Sequence, residues 1–362
     1  MANILVLGVK IPFVGGGQEA LVRSLISELT KRGHRVDEIS LPYSPFKKEE
    51  IFKYASMWRS LDLSKFCVFD VDLVIATKFP TFFAKHPRKS VWLVHQDRSC
   101  YDLYSTRYSA VSDNLEDEVY RELVYETDTN VIKESAYISA ISKNVANRLE
   151  KFNGIKADVL YPPLTLGNRY YSKNQENYIL SVGRICSIKR VDMLIEALPY
   201  IKSDVKLKIA GSFDEPQTQI FLENIIEKHN LNSRVEFLGR ISDEELLENY
   251  ANALSVYYAP LDEDYGYVTL EAFASKKPVI TASDSGGSLE FVKDKENGLI
   301  TEPTPIGIAD AIKYLLENKD EAKKMGENGY KLVNDLGLLD SSWDNVINSL
   351  LSPLKDKSTK NR

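Results

Sequence analysis

The chain has 362 residues, a hydrophobic share of 43%, a charged share of 27% and a formal net charge of −6. This length is too great for one small core and fits two domains of ordinary size in a folded enzyme. The negative balance argues against nucleic acid as the main partner, because phosphate backbones need a basic surface.

Three cysteines, Cys67, Cys100 and Cys186, show no C-x-x-C spacing and read as free thiols of a reducing compartment. No secretory signal opens the sequence and no apolar run is long enough to span a bilayer, so the expected location is cytoplasmic.

Residues 4–8 are a short apolar run that reads as a buried parallel strand. A glycine loop, Val14-Gly15-Gly16-Gly17, follows. Residues 18–32 place Leu21, Leu25, Ile26 and Leu29 at helical spacing, Gly33 ends that helix, and 34–39 is the next strand. The loop has neither G-x-G-x-x-G nor a P-loop. It is either a turn that caps the helix or a loop whose backbone at Gly16 and Gly17 can approach phosphate or sugar oxygens.

Residues 46–66 mix Lys47, Lys48, Lys53, Arg59 and Lys65 with Phe46, Ile51, Phe52, Tyr54, Met57 and Trp58. The ordinary reading is an amphipathic surface helix; the rival is a surface that rests on an anionic membrane. Strands follow at 72–76 and 90–94, with His95 at a strand end, where a histidine is either structural or functional. The stretch from His95 to Tyr104 is polar and aromatic, as carbohydrate sites often are, or simply a packed loop. Residues 136–141 form a strand, Ser142 caps a helix to about Phe152, and a strand at 159–161 stops at Pro162-Pro163.

Residues 166–177 are polar and without period, which places a domain boundary there. Further strands are expected at 178–182, 206–210, 235–238, 255–258, 278–281 and 298–300, with a capping box opening at Ser242. The expected fold is α/β: two Rossmann-like domains, 1–165 and 166–340, facing across a cleft, then a C-terminal helix within 341–355 that Pro353 stops and a frayed tail at 356–362.

Two groups in the second half carry chemistry. Arg184 and Lys189 follow the first strand of the domain, where a guanidinium fork and an ammonium can hold a diphosphate. Two basic loop residues are also common surface charges. Glu263 and Glu271 flank Tyr265-Gly266-Tyr267-Val268, where a loop enters a helix whose N-terminus offers free N–H groups. Paired carboxylates there can also be mere helix-dipole partners. Asp70-Val71-Asp72 and Asp262-Glu263-Asp264 both spell D-x-D, a pattern that can chelate a divalent ion. The first reads as a turn, and the second is redundant beside Arg184 and Lys189, so no metal or cofactor is expected.

Gly183-Arg184…Lys189, then Glu263-x7-Glu271 enclosing Tyr265-Gly266, then Pro278-Val279-Ile280, resembles the retaining glycosyltransferases of family four, glycosyl transferases group 1, which have the GT-B fold. Gly16-Gly17-Gln18-Glu19, residues 140–149, 207–211 and 235–239, Ser285-Gly286-Gly287 with Glu290, and Asn297-Gly298-Leu299 follow in the family's order. The resemblance implies that Arg184 and Lys189 neutralise the donor diphosphate and the leaving group. It places Glu271 on the ribose, Glu263 on the donor sugar, and the amides of Gly266, Tyr267 and Val268 on sugar or phosphate oxygens. It brings the backbone near Gly239 and Arg240 to the base and His95 near the reactive carbon, and it sends the last helix back to brace the first domain. The implied partners are a nucleotide-sugar donor and a saccharide or lipid-linked saccharide acceptor, with peripheral contact at the inner face of a membrane open. The rivals are a sugar-nucleotide epimerase of the same fold and a catalytically inactive carbohydrate-binding protein.

Overall fold

The computed structural model describes residues 1–11, 16–44, 48–64, 68–339 and 343–355. Val14 and Gly15 of the glycine loop, Phe46, Lys47, Lys65, Phe66, Cys67, the start of the expected last helix at Ser341 and the tail at 356–362 lie outside the described residues. Packing divides the chain into two compact units, Met1–Thr165 with Trp343–Arg362, and Leu166–Ser342.

The first unit alternates β1 (Asn3–Lys10), α1 (Gly17–Lys31), β2 (Arg35–Pro42), α2 (Ile51–Arg59), β3 (Leu73–Ala76), β4 (Lys89–Leu93), α3 (Leu115–Lys133), β5 (Tyr137–Ala140), α4 (Lys143–Asn153) and β6 (Asp158–Val159). All six strands are parallel, in the order β2-β1-β3-β4-β5-β6. The central strands read as apolar runs because both faces are covered: Leu73 to Ala76 and Val91 to Leu93 are fully buried. α1 turns Leu21, Val22, Leu25 and Leu29 inward, and Gly33 (φ +81°) supplies the left-handed turn that ends it. Ser142 caps α4 by accepting from Val145 N at 3.1 Å.

Three local expectations need correction. The strand expected at 159–161 is only the two-residue β6. Pro353 does not stop the last helix; α12 (Asp344–Leu350) is followed by a further turn, α13 (Ser352–Lys355), with Pro353 at its second position, where a missing N–H leaves no bond unmade. The 19-residue α3 has no counterpart in the sequence reading. Its buried apolar residues, Val124, Tyr125, Val131 and Ile132, crowd its second half, while Leu115, Val119 and Leu123 face outward, so no clean period shows.

The C-terminal segment belongs to the first unit. Ser90 Oγ donates to Leu350 O at 2.7 Å, Trp343 meets Trp92 edge-on at 5.9 Å, and Arg32 pairs with Asp344 at 2.5 Å. In α2, Ile51, Ala55 and Trp58 are buried, Lys48 before it pairs with Asp117, and Arg59 makes a two-bond pair with Glu134 at 2.6 and 2.7 Å. The apolar side of this stretch therefore serves the core, and two of its cations are already neutralised. No helix among the described residues is long and apolar enough to cross a membrane.

The second unit contains β7 (Tyr178–Val182), α5 (Val191–Ala197), β8 (Lys206–Ala210), α6 (Pro216–Lys228), β9 (Val235–Gly239), α7 (Asp243–Asn252), β10 (Ser255–Tyr257), α8 (Tyr267–Ala274), β11 (Val279–Ala282), α9 (Ser288–Phe291), β12 (Gly298–Thr301), α10 (Pro305–Glu317) and α11 (Lys319–Asp335). Its six parallel strands run β12-β11-β10-β7-β8-β9. The capping box at Ser242 forms with Glu245. Strand order reverses between β7 and β10, which makes the C-terminal ends of these two strands the topological switch point of the sheet.

The first unit also buries carboxylates. Asp128 is 1% exposed; Tyr101 OH donates to one oxygen at 2.8 Å, and the other has no hydrogen bond among the described residues. Burial pushes its pKa well above the usual carboxylate range, against the pull of Tyr101. A raised folded pKa gives stability that is full below the unfolded value and lost as pH rises through the folded one. Asp128→Asn removes this dependence. The urea midpoint of the variant should therefore fall less than the wild-type midpoint between about pH 5 and about pH 8.

Candidate active site

At the switch point of the second unit, the loop leaving β7 carries Gly183, Arg184 and Lys189, and the loop leaving β10 carries Glu263. The loops are tied together: Leu261 N donates to Ile188 O at 3.1 Å, and Asp262 N donates to Asp284 O at 2.9 Å, which adds the loop after β11. Gly183 N donates to Ala210 O at 2.9 Å and Gly211 N to Gly239 O at 2.8 Å, joining the loops after β8 and β9. A Cβ on Gly211 (φ +151°) would lie 1.8 Å from Gly183 O, so only glycine fits there. A Cβ on Gly286 (φ +54°) would lie 2.4 Å from Asp262 Oδ1. Ser285-Gly286-Gly287 is thus the bed on which the Glu263 loop lies, with Gly287 N donating to Glu263 O at 2.6 Å.

Lys189 and Glu263 meet. Lys189 Nζ donates to Glu263 Oε2 at 2.5 Å and to Tyr258 OH at 2.9 Å, with 22% and 18% of the two charged side chains exposed. Burial alone would lower the Lys189 pKa, but the Glu263 carboxylate outweighs it and holds the ammonium above its usual range. Arg184 is exposed and makes no ion pair among the described residues. The pair cancels itself, so Arg184 supplies the net positive charge of the cluster.

α8 begins at Tyr267 after Gly266 (φ +88°), and the amides of Tyr267 and Val268 make no hydrogen bond among the described residues. They are the unpaired donors of a helix start. Glu271, one turn on, is half-buried; Tyr250 OH donates to its Oε2 at 2.7 Å. Burial raises its pKa, while hydroxyl donors pull it back. Tyr265 is 2% exposed with its ring edge-on to Phe291 and Tyr267, so its side chain packs the loop and only its backbone can face a ligand. Gly239 (φ +64°) ends β9, and Arg240 beside it is exposed.

Arg190 was missed in the sequence. It caps α5 in the left-handed region (φ +55°) and is 6% exposed. Its guanidinium donates to Ala259 O at 2.7 Å, Pro260 O at 2.9 Å and both oxygens of Asp284 at 2.8 and 2.6 Å. The signal was there, an Arg directly after Lys189, but nothing local shows that it points inward.

In the first unit, His95 and Gly16 lie on the C-terminal side of the parallel sheet. Gly16 is the exposed N-cap of α1, and Gly17 is the first helical residue rather than a loop residue. Strand ends are stitched there: Thr77 Oγ1 donates to Leu7 O at 2.9 Å, Val94 N to Thr77 O at 2.6 Å, and Phe79 N to His95 O at 3.1 Å. His95 Nδ1 lies 2.6 Å from Gln96 O. A carbonyl can only accept, so Nδ1 carries the proton and Nε2 is the basic nitrogen of the neutral ring. His86 is structural, bridging Val71 O and the Arg88 backbone. Asp72 accepts from Asn3 N at 2.9 Å, as a turn residue does. Cys100 and Cys186 are buried free thiols.

Two parallel doubly wound units, one with a cation–carboxylate cluster at its switch point, define the α/β GT-B class. Residues 168–332, which lie within the second unit, match the sequence model of glycosyl transferases group 1. An uncharacterized glycosyltransferase of Methanocaldococcus jannaschii is 32% identical over 58% of this chain and 56% of its own length. The alpha-1,3/1,6-mannosyltransferase of Homo sapiens is 26% identical over 57% of this chain and 54% of its own. The chain spans about half the length of the curated relatives it matches. Among solved structures, sucrose-phosphate synthase from Thermosynechococcus elongatus superposes with a TM-score of 0.76 at 19% identity, covering 96% of this chain and 99% of that one, a likeness of fold.

Arg190→Lys keeps the charge but cannot satisfy two carbonyls and a carboxylate at once. Chemical denaturation should show a loss of about 2–4 kcal/mol.

Proposed function

We propose that the chain is a retaining glycosyltransferase that moves a hexose-type sugar from a nucleotide-sugar donor to a saccharide or lipid-linked saccharide acceptor. One observation carries the reading: the Lys189–Glu263 pair sits at the switch point beside an exposed Arg184 and the free amides that open α8. The bond from the sugar's anomeric carbon to the diphosphate oxygen breaks, a bond to an acceptor hydroxyl oxygen forms, and the hydroxyl proton passes to the leaving diphosphate. Negative charge grows on the leaving diphosphate, where Arg184 and Lys189 stabilise it. Positive character grows on the sugar, where Glu263 stabilises it. Glu271 accepts from the ribose, the backbone at Gly239 and Arg240 borders the base, and His95 with Gly16 and Gly17 serves the transferred sugar. The cationic side chains make a divalent metal unnecessary, so transfer should persist in EDTA and not depend on added manganese or magnesium.

The alpha-1,3/1,6-mannosyltransferase relative supports a hexose as the transferred sugar, and we place the reaction in glycoconjugate or polysaccharide synthesis at the cytoplasmic side of a membrane. A role for residues 46–66 in membrane contact is the weaker part of the reading, since α2 spends its apolar side on the core.

Thermal stabilisation by a panel of nucleotide sugars identifies the donor, because specific binding raises the melting temperature by mass action. Incubating that donor with and without acceptor separates the rivals: an epimerase converts it alone, and an inactive binder converts nothing. Arg184→Ala should cost about 2–4 kcal/mol in kcat/KM.

The ion pair makes a sharper test. Lys189→Ala takes from Glu263 the ammonium that balances its charge against an incoming diphosphate. Calorimetry should show Lys189→Ala binding nucleoside diphosphate more weakly than Lys189→Ala/Glu263→Gln, with a coupling of about 1–3 kcal/mol. Additive effects would mean that the pair does not share the site with the diphosphate.

A further inference from the structure

Glu271 lies among three tyrosines. Tyr250, on α7, is fully buried and donates to Glu271 Oε2 at 2.7 Å. Tyr170, in the segment before β7, is 7% exposed, its ring edge-on to that of Tyr250 at 6.2 Å. Tyr267 opens α8 one turn before Glu271. The hydroxyls of Tyr170 and Tyr267 are buried and make no hydrogen bond of ordinary geometry among the described residues. Burial and the Glu271 carboxylate together push all three phenols above their usual range, so all three feel the same charge.

A phenylalanine would fill the same apolar space at positions 170 and 250. At Tyr250 that exchange would remove the hydrogen bond to Glu271, which a purely packing role does not explain. Tyr170 is also held in place. Lys173 N donates to Ala251 O at 2.8 Å and Glu176 N to Asn252 O at 2.7 Å, while Arg169 pairs with Glu244 at 2.8 Å, binding the segment along α7.

We propose that Tyr250 and Tyr170 are positioning residues for nucleoside diphosphate recognition: Tyr250 fixes one oxygen of the Glu271 carboxylate by its hydrogen bond and Tyr170 holds Tyr250 by edge-on packing, so that the other carboxylate oxygen accepts from a cis-diol in one set direction. This rests on the reading of the second unit as the donor site. A carboxylate with one oxygen clamped discriminates a diol from a single hydroxyl, because it cannot rotate to satisfy itself elsewhere. A site built around a substrate hydroxyl rejects the analogue that lacks it, since its own buried groups are then left unpaired. The tyrosines therefore set how strongly the site prefers ribose to 2′-deoxyribose, without touching the nucleotide.

The experiment is calorimetric titration of the full chain with UDP, 2′-deoxy-UDP, GDP and 2′-deoxy-GDP. Wild type should bind the ribose form of its preferred base at least about tenfold more tightly than the deoxy form. Tyr250→Phe should weaken the ribose form by about three- to tenfold and leave the deoxy form unchanged, bringing the ratio toward one, whereas Tyr170→Phe, which keeps the ring packed on Tyr250, should keep the ratio. Glu271→Gln should do the same as Tyr250→Phe, whereas Arg184→Ala should weaken both forms alike and keep the ratio. Circular dichroism checks the fold; if Tyr250→Phe does not fold, Tyr170→Leu, which removes the ring packed on Tyr250, decides alone and should lower the ratio. A ratio that survives folded Tyr250→Phe while Glu271→Gln abolishes it overturns the positioning role and leaves the donor site standing. A ratio that survives Glu271→Gln overturns the role as well. Wild type that binds none of the four nucleotides overturns both.

Discussion

The guanidinium of Arg190 holds the second unit's sheet edge in place. A parallel sheet ends in loops that have no ladder of their own, and each must find partners for its exposed carbonyls. Arg190 takes up two of them, at Ala259 and Pro260, and grips Asp284 with both arms of its fork. Three loops, after β7, β10 and β11, thereby share one rigid node. Tyr257 closes it from below by donating to Arg190 O at 2.9 Å. The position of Glu263 follows from this node, because its backbone lies between Pro260 and the Asp284–Gly287 turn. A planar five-donor group suits the task, and an ammonium at the same place would leave donors and acceptors unmatched.

Charge at this edge is nearly balanced before any ligand is considered. Lys189 is not a spare cation waiting for phosphate; Glu263 compensates it. An ammonium held that close to a carboxylate stays protonated at any working pH, as the direction of its shift says. The pair can respond to a diphosphate only by sharing the ammonium between two anions. Arg184 and the amides of Tyr267 and Val268 carry the uncompensated donor capacity. A site of this kind attracts a polyanion weakly at long range and strongly at contact, where the helix-start amides and the fork align with it.

Much of the second unit was legible in its sequence. The strand at 178–182 falls where its largely apolar run places it, and that at 206–210 falls where the buried Leu207 and Ile209 alternate with Lys206 and Lys208. The capping box at Ser242 was readable because its partners are three residues apart. The grouping of Arg184, Lys189, Glu263 and Glu271 in one unit was legible through resemblance, not through spacing. What stayed hidden were interactions between residues distant in sequence. The Lys189–Glu263 contact spans 74 positions, and Arg190 reaches 94 positions to Asp284. The tyrosines around Glu271 come from three separate elements, and no local pattern marks a tyrosine whose hydroxyl is buried beside a carboxylate.

The first unit was harder to read for a related reason. A helix is found in sequence when its buried face repeats along its whole length. α3 buries its second half and turns Leu115, Val119 and Leu123 outward, so its pattern averages away. The segment from Asp97 to Asp102 depends on a buried polar network: Tyr43 donates to Asp97 at 3.0 Å and Tyr101 to Asp128 at 2.8 Å. Such a network is specified by three-dimensional satisfaction of donors and acceptors, which no window of sequence contains. The two halves differ in what their ligands would demand. On the proposed reading, a diphosphate and a pentose recur across most nucleotide sugars, so a side that holds them can reuse one spaced set of Arg, Lys and Glu. Acceptors differ in shape and polarity, so the side that meets them is built from loops and private networks. The sequence of the second unit therefore speaks through a shared chemistry, and the first unit speaks only through its own packing.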